Sequence, residues 1–230
     1  MALTLAFLQA RMGSTRLAGK ALLPIQGKSI LQRSIERLRA ADGLDDVVVL
    51  TTHHDEDDAI VKEASMLGAP VFRGPDLDVL ARFRQAADLF RPDIIVRATA
   101  DNPLIDIGTT GRIVSRVIAD NLDYCVEVDL PVGAATEAIT RSALETVDRL
   151  GGLEHHREHV TIYVKEHRDE FRTCFADPPA ALRRPDVWIT VDTPADFAFV
   201  ECLIKGIPEG CSPVPLEEYL ELLRMNTVPR

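Results

Sequence analysis

Residues Gln9 to Lys20 concentrate the kinds of group that bind phosphate. Three cations (Arg11, Arg16, Lys20), two hydroxyls (Ser14, Thr15) and two glycines (Gly13, Gly19) fall within twelve residues, directly behind an apolar run. Glycines let backbone N–H groups approach phosphate oxygens, and cations neutralise their charge. The loop is not a Walker A sequence: five residues rather than four separate Gly13 from Gly19, and Ala21 stands where a magnesium-binding hydroxyl would be needed. A solvated basic loop is the competing reading. The position behind a buried strand favours phosphate, because open α/β sheets bind ligands beyond the carboxyl ends of their strands.

Two aspartates far apart in the chain have the chemistry for a hard cation. Asp101 lies in Arg97-Ala-Thr-Ala-Asp101-Asn-Pro-Leu-Ile-Asp106, and Asp192 in Trp188-Ile-Thr-Val-Asp192-Thr-Pro-Ala-Asp196. Magnesium prefers oxygen ligands and commonly takes one or two carboxylates together with substrate phosphates. Local structure accounts for the neighbouring acids. Thr193 reads as a helix N-cap, Pro194 as the first helical residue and Asp196 as the partner of a capping box, while Asp106 can cap the helix after it. Asp101 and Asp192 are left over, and residue type alone leaves a functional and a structural role equally open.

Other polar clusters say less. His155 and His159 lie one helical turn apart, as a zinc pair would, but the segment lacks the H-E-x-x-H order and the sequence offers no third ligand. His53-His54 reads as a solvated pair, and Arg73 as an exposed arginine after an edge strand.

The elements that must position these groups alternate. Short apolar runs at residues 3–8, 47–50 and 94–96 are each followed by a polar loop and a segment of helical period. Ser29-x-x-Gln32 is a capping box ahead of Ile30, Leu31, Ile35 and Leu38. Further helices are expected over Asp55–Leu67, closed by Gly68, and around Val79–Phe90 and Ile113–Ile118. The alternation predicts an α/β fold: a Rossmann-like, mixed but mostly parallel sheet with helices on both faces. After residue 120 the pattern loosens. Strands are expected at Tyr124–Val128, near Glu137, at Phe171–Phe175 and at Val187–Val191, with a helix capped by Ser142 and another around 155–167. Residues 1–230 read as a single domain, with about 120–180 as an acceptor-binding or dimerising elaboration, and 207–230 carries a terminal helix around Leu216, Tyr219, Leu220 and Leu223.

Composition excludes some classes. The 230 residues carry 36 acidic and 26 basic side chains, a net charge of −10, which argues against a general nucleic-acid or anionic-membrane binder. Four isolated cysteines (125, 174, 202, 211) without a C-x-x-C pair read as reduced packing or surface thiols of a cytoplasmic protein. The apolar start lacks a basic n-region, and no apolar stretch reaches the ~18 residues of a membrane helix.

Ala10-Arg11-Met12-Gly13-Ser14-Thr15-Arg16-Leu17-x-Gly19-Lys20 resembles the N-terminal signature of the cytidylyltransferases, a group that includes CMP-KDO synthetases, acylneuraminate cytidylyltransferases and the SpsF family of spore-coat polysaccharide synthesis. Ala18 replaces the proline usual there. The D-x-P-L segment at Asp101 and the V-D-T-P-x-D segment at Asp192 are similar to the two metal-associated segments of those enzymes. Val71-Phe-Arg73-Gly74, Pro131-x-Gly133-x-x-x-Glu137 and Arg157-Glu158-His159-Val-Thr resemble further family segments.

The resemblance implies a fold of the nucleotide-diphospho-sugar transferase type and transfer of CMP from CTP to a small sugar-type acceptor. It implies that Arg11 and Lys20 grip the triphosphate, that Ala10, Gly13, Ser14 and Arg16 shape the nucleotide loop, and that Arg73 lies near the base. Asp101 and Asp192 would hold Mg2+, with Asp101 also close to the nucleotide sugar. Glu137, Arg157, Glu158 and His159 would face the acceptor. Relatives of this kind often form homodimers, for which the apolar 120–140 stretch is the candidate contact. A nucleotide-sugar-dependent glycosyltransferase is the rival, although Asp101-Asn-Pro lacks the second acid of a D-x-D triplet.

Overall fold

The computed structural model describes residues 2–208 and 213–225; Cys211 and the last five residues lie outside them. Among the described residues nine strands form in chain order: β1 (Thr4–Gln9), β2 (Pro24–Ile25), β3 (Lys28–Ser29), β4 (Asp46–Thr52), β5 (Val71–Gly74), β6 (Ile94–Thr99), β7 (Tyr124–Glu127), β8 (Glu137–Thr140) and β9 (Thr173–Ala176). Seven make one sheet in the order β5-β4-β1-β6-β8-β7-β9, and β2-β3 is a separate small hairpin. Only β8 runs against the rest, pairing antiparallel with β6 and β7, so the sheet is mixed but mostly parallel.

The helices are α1 (Ile30–Arg39), α2 (Asp58–Met66), α3 (Val79–Phe90), α4 (Ile107–Ala119), α5 (Arg141–Leu150), α6 (Glu154–Glu158), α7 (Ile162–Glu166), α8 (Pro194–Lys205) and α9 (Leu216–Arg224). Strand alternation sorts them into layers. Ala6, Leu8, Val47, Val49, Val96 and Ala98 pack on one face with Leu31 and Ile35 of α1, Ile60 of α2 and Ile113 of α4. Leu5, Phe7, Val48, Leu50 and Ile95 face the other way, against Leu80 and Phe83 of α3, Leu144 of α5 and Val164 of α7. A third cluster joins Ile25, Ile189, Val191, Val200 of α8 and Leu220 of α9.

Several expectations shift in detail. Val187–Val191 is extended but not a strand: it bonds to Val132 and to the carbonyl of Asp101, which together provide one isolated bridge and no ladder. The cap of α5 is Thr140, which accepts from the Ala143 N–H, and not Ser142, which lies inside the helix. The helix expected over 155–167 is two short ones, α6 and α7. Ser29 caps α1 by accepting from the Gln32 N–H, but the Gln32 amide turns to Glu36, so the box is not reciprocal. Tyr124, Cys125, Ala138 and Ile139 in the 120–140 stretch are buried inside this chain by the sheet they build.

Candidate active site

The carboxyl ends of β1 and β6 and the start of α8 bring the phosphate-type loop and both aspartates together. Beyond β1 the chain stays in register for one residue, where the Ala10 N–H donates to the Leu50 carbonyl. It then turns through Gly19, whose φ of 65° is left-handed and easily met by glycine. That turn starts a short 3-10 helix at Lys20. Lys20 Nζ donates to Asp101 Oδ2 at 2.9 Å and to Asp192 Oδ1 at 2.8 Å, and Arg16 Nη2 lies 3.1 Å from the same Asp192 oxygen.

Each acid is held by its own surroundings. The Thr99 hydroxyl donates to Asp101 Oδ1 at 2.6 Å, and the Asn102 amide donates to Thr99 in turn at 2.7 Å. Asp192 directly precedes Thr193, the cap of α8, and its N–H donates to Asp196, which completes the capping box. Gly133 makes this approach possible: at φ +99° its missing Cβ would lie 2.7 Å from the Thr190 nitrogen and 2.9 Å from Asn102 Oδ1. Partial burial raises the cost of charge on Asp192. The Lys20 hydrogen bond and the charges of Lys20 and Arg16 outweigh this and hold its carboxyl below the usual aspartate range.

Arg11 does not join this cluster. Its guanidinium pairs with Asp76 at 3.3 Å, and His54 Nε2 meets the other oxygen of Asp76 at 3.2 Å. These groups line a cavity of about 100 Å³ with Gly13, Thr52, Glu56 and Asp57, beyond the ends of β1, β4 and β5. The Asp76 turn is fixed from beneath by buried Arg82, which donates to the carbonyls of Pro75 and Asp76. Arg73 spends its donors on the Thr52 and His54 carbonyls and on Asp58, bracing this rim. Sequence reading passed over Asp57. Its buried carboxylate accepts from the Met12 N–H at 2.7 Å and from the N–H and hydroxyl of Thr52. Burial opposes its charge, but these donors win and depress its pKa. The one signal in sequence was an acid just before a helix start, which any N-terminus can show.

The residues expected at the acceptor are disposed differently from one another. Glu137 does not present a free carboxylate: it is buried, and both oxygens are occupied by Arg97 (3.3 Å), Lys165 (3.0 Å), Tyr124 (2.8 Å) and the Thr161 hydroxyl. Burial works against its ionisation, yet the charges of Arg97 and Lys165 and these hydrogen bonds hold its pKa at about 2. Arg157 is a strut, paired with Asp78 at the start of α3 and with Asp148 of α5. Glu158 and His159 are exposed. His155, His156 and Glu166 do gather into a group of three metal-ligating types. However, His156 Nδ1 accepts from the Leu153 N–H, which leaves the proton on Nε2, the atom that meets Glu166. That tautomer gives the carboxylate a hydrogen bond and offers a metal no lone pair there.

A mixed sheet of this order, with a cation-bridged carboxylate pair beyond its central strands, defines a fold of the nucleotide-diphospho-sugar transferase type. The cytidylyltransferase family model matches residues 5–224. The spore coat polysaccharide biosynthesis protein SpsF of Bacillus subtilis is 31% identical over 224 residues, which cover 95% of this chain and 93% of that protein. A solved cytidylyltransferase from Leptospira borgpetersenii superposes with a TM-score of 0.92 at 30% identity, over 99% of this chain and 96% of that one. A CMP-KDO synthetase solved in complex with CTP shares the fold at a TM-score of 0.69 and 18% identity, over 89% of this chain and 99% of that one. The chain belongs to the cytidylyltransferase family. No helix among the described residues is long and apolar enough to cross a membrane.

Proposed function

We propose that this protein transfers CMP from CTP to a small sugar-type acceptor and releases pyrophosphate. The observation that carries the reading is the meeting of Lys20 with Asp101 and Asp192, with Arg16 alongside, at the mouth of the sheet. An acceptor oxygen attacks the α-phosphorus, the bond from that phosphorus to the β-phosphate bridge oxygen breaks, and pyrophosphate leaves. Phosphoryl-type transfer asks a protein mainly for positioning and charge neutralisation. Lys20 and Arg16 supply positive charge on one side of the loop, and Arg11 supplies it on the other, beside the cavity beyond β4 and β5. CTP as the donor is consistent with family membership and with the nucleotide bound by the CMP-KDO synthetase.

The pair Asp101 and Asp192 suits a divalent cation: two carboxylates already share one positive group, and both are hard oxygen donors. Mg2+ held there would neutralise phosphate charge and orient the acceptor. Among the described residues no side chain stands out as a dedicated base. A carboxylate or phosphate acceptor needs none, and a hydroxyl acceptor would pass its proton to solvent. The test is pyrophosphate release from CTP with magnesium and a panel of acidic and neutral sugars, run against consumption of ready-made nucleotide sugars. Consumption of the latter without pyrophosphate formation from CTP would favour the glycosyltransferase and end this reading.

A further inference from the structure

Among the described residues β9 is the last strand of the sheet, with β7 as its neighbour in the ladder. Their register sets Cys125 directly opposite Cys174. Both side chains lie on the α4 side. Cys125 is fully buried in the cluster that holds Ile113, Val114 and Val117, and Cys174 packs against it half-buried. The two thiols are hydrogen-bonded to each other. Register partners on neighbouring strands stand about 4.8 Å apart, within the span of about 4.4–6.8 Å between Cα atoms that a disulfide bridges. A bond between these sulfurs therefore asks for side-chain rotation and leaves the strand pairing as it is.

The two sulfurs have different surroundings. Burial, followed by the charge and hydrogen bond of Cys174, pushes the Cys125 thiol up to about 12, so it keeps its proton. Cys174 is open to solvent on one side and meets Arg116 of α4, whose Nη1 donates to its Sγ at 3.6 Å. Arg116 also walls a groove of about 740 Å³ with Arg112, Ser115 and Asp177, which gives a small solute an approach to this end of the sheet. A partly exposed sulfur beside a guanidinium is the setting in which cysteines react, whereas a buried one is inert until a partner sulfur is activated. The transfer reaction uses neither group.

We propose that Cys125 and Cys174 form a redox pair, a modification site apart from the reaction centre: a hydroperoxide closes them into a disulfide that clamps β9 to β7, and an external dithiol reopens it. Cys174 loses its proton to solvent and its sulfur attacks one peroxide oxygen. The O–O bond breaks, and hydroxide leaves and takes up a proton as water, which makes Cys174 a sulfenic acid. The Cys125 sulfur then attacks the Cys174 sulfur, the S–O bond breaks, and the Cys125 proton departs with that oxygen as a second water. Two thiols are oxidised by two electrons in all and the peroxide is reduced to two waters. On reopening, the dithiol is oxidised to its own disulfide and both thiols return. The inference stands independently of the transferase reading.

Peptide mapping tests it. The reduced protein is treated with hydrogen peroxide, blocked with iodoacetamide and cut with trypsin, which releases Cys125 on residues 117–141 and Cys174 on residues 173–183. The two peptides are expected joined, two hydrogen masses lighter than their sum, and separate again after dithiothreitol. The oxidised protein should melt about 5–10 °C above the reduced one, because the bond closes the chain between positions 125 and 174. Cys174→Ser should abolish both effects. Cys125→Ser should leave Cys174 as a sulfenic acid that dimedone captures, which a thiol serving only as packing would not form. Arg116→Gln, on the exposed face of α4, should slow the cross-link about tenfold. Should Cys125→Ser fail to fold in the core, the Cys174 and Arg116 variants decide the outcome. Peptides that stay separate, a cross-link that engages Cys202 or Cys211 instead, an unchanged rate in Arg116→Gln, or an oxidised protein that melts no higher than the reduced one would overturn the proposal.

Discussion

Replacing Lys20 by methionine keeps the aliphatic stem and removes only the ammonium that joins Asp101 to Asp192. Lys20 makes two charge-assisted hydrogen bonds, at 2.9 and 2.8 Å, to side chains that are 27% and 20% exposed. A bond of this kind is worth about 1.5–3 kcal/mol when sheltered, and partial exposure screens it. We therefore take about 2 kcal/mol for the pair together, which should lower the melting temperature of the metal-free protein by about 4–8 °C. The same arithmetic works in the opposite direction for metal. In the native protein a divalent cation must take the two carboxylates from Lys20; in the variant Asp192 keeps only Arg16 and Asp101 only the Thr99 hydroxyl. Magnesium should bind the nucleotide-free variant about ten- to a hundredfold more tightly, as about 1.4–2.8 kcal/mol dictates, and should restore much of its lost melting temperature. Pyrophosphate release should nonetheless fall by about 10²–10³, since the charge that faced the phosphates is gone. Calorimetric titration of magnesium into both proteins without nucleotide is the assay. A variant that binds magnesium no more tightly than the native chain would refute the claim that these two acids are the cation site and that Lys20 holds it closed.

Asp57→Ala should destabilise the fold by about 1–3 kcal/mol, because the Met12 N–H and the Thr52 donors are left unpaired; urea denaturation measures it, and the KM for CTP should rise as the loop loosens. Gly133→Ala pushes a methyl group into the Thr190 backbone at a left-handed φ and should cost about 2–4 kcal/mol. A near-neutral effect in the same denaturation assay would show that the 131–134 turn yields easily. Thr193→Ala removes the cap of α8 and should cost about 1 kcal/mol, with some loss of activity because Asp192 precedes it. Glu137 governs part of the acid limb of stability. Its folded pKa of about 2 lies below the ordinary 4.5, so its contribution is complete above 4.5 and disappears as pH falls toward 2. That difference is worth about 3 kcal/mol. Glu137→Gln should flatten stability between pH 5 and 2, with Arg97, Lys165, Tyr124 and Thr161 as the facing groups; an acid limb unchanged by the substitution would assign the effect to other carboxylates.

Features that act over three or four residues were determined by the sequence alone. Ser29, Asp106 and Thr193 each accept from the N–H three places on, and Asp196 closes its box on Thr193, because a helix start satisfies its donors from the nearest side chain whatever surrounds it. The alternation of apolar runs sufficed for the layers. Where the charged groups meet was decided by the tertiary structure. Lys20 reaches acids 81 and 172 positions away, and no local rule relates such positions. The sheet order does, since β6 pairs along its two edges with β1 and β8, which sets which strand ends adjoin. That order also split the loop, with Arg11 going to Asp76 and Lys20 to Asp192, and it sealed Glu137 beneath Arg97 and Lys165. Val187–Val191 has the apolar alternation of a strand and became a lone bridged segment, because strand pairing needs a free ladder beside it, and only the assembled fold shows whether one is there.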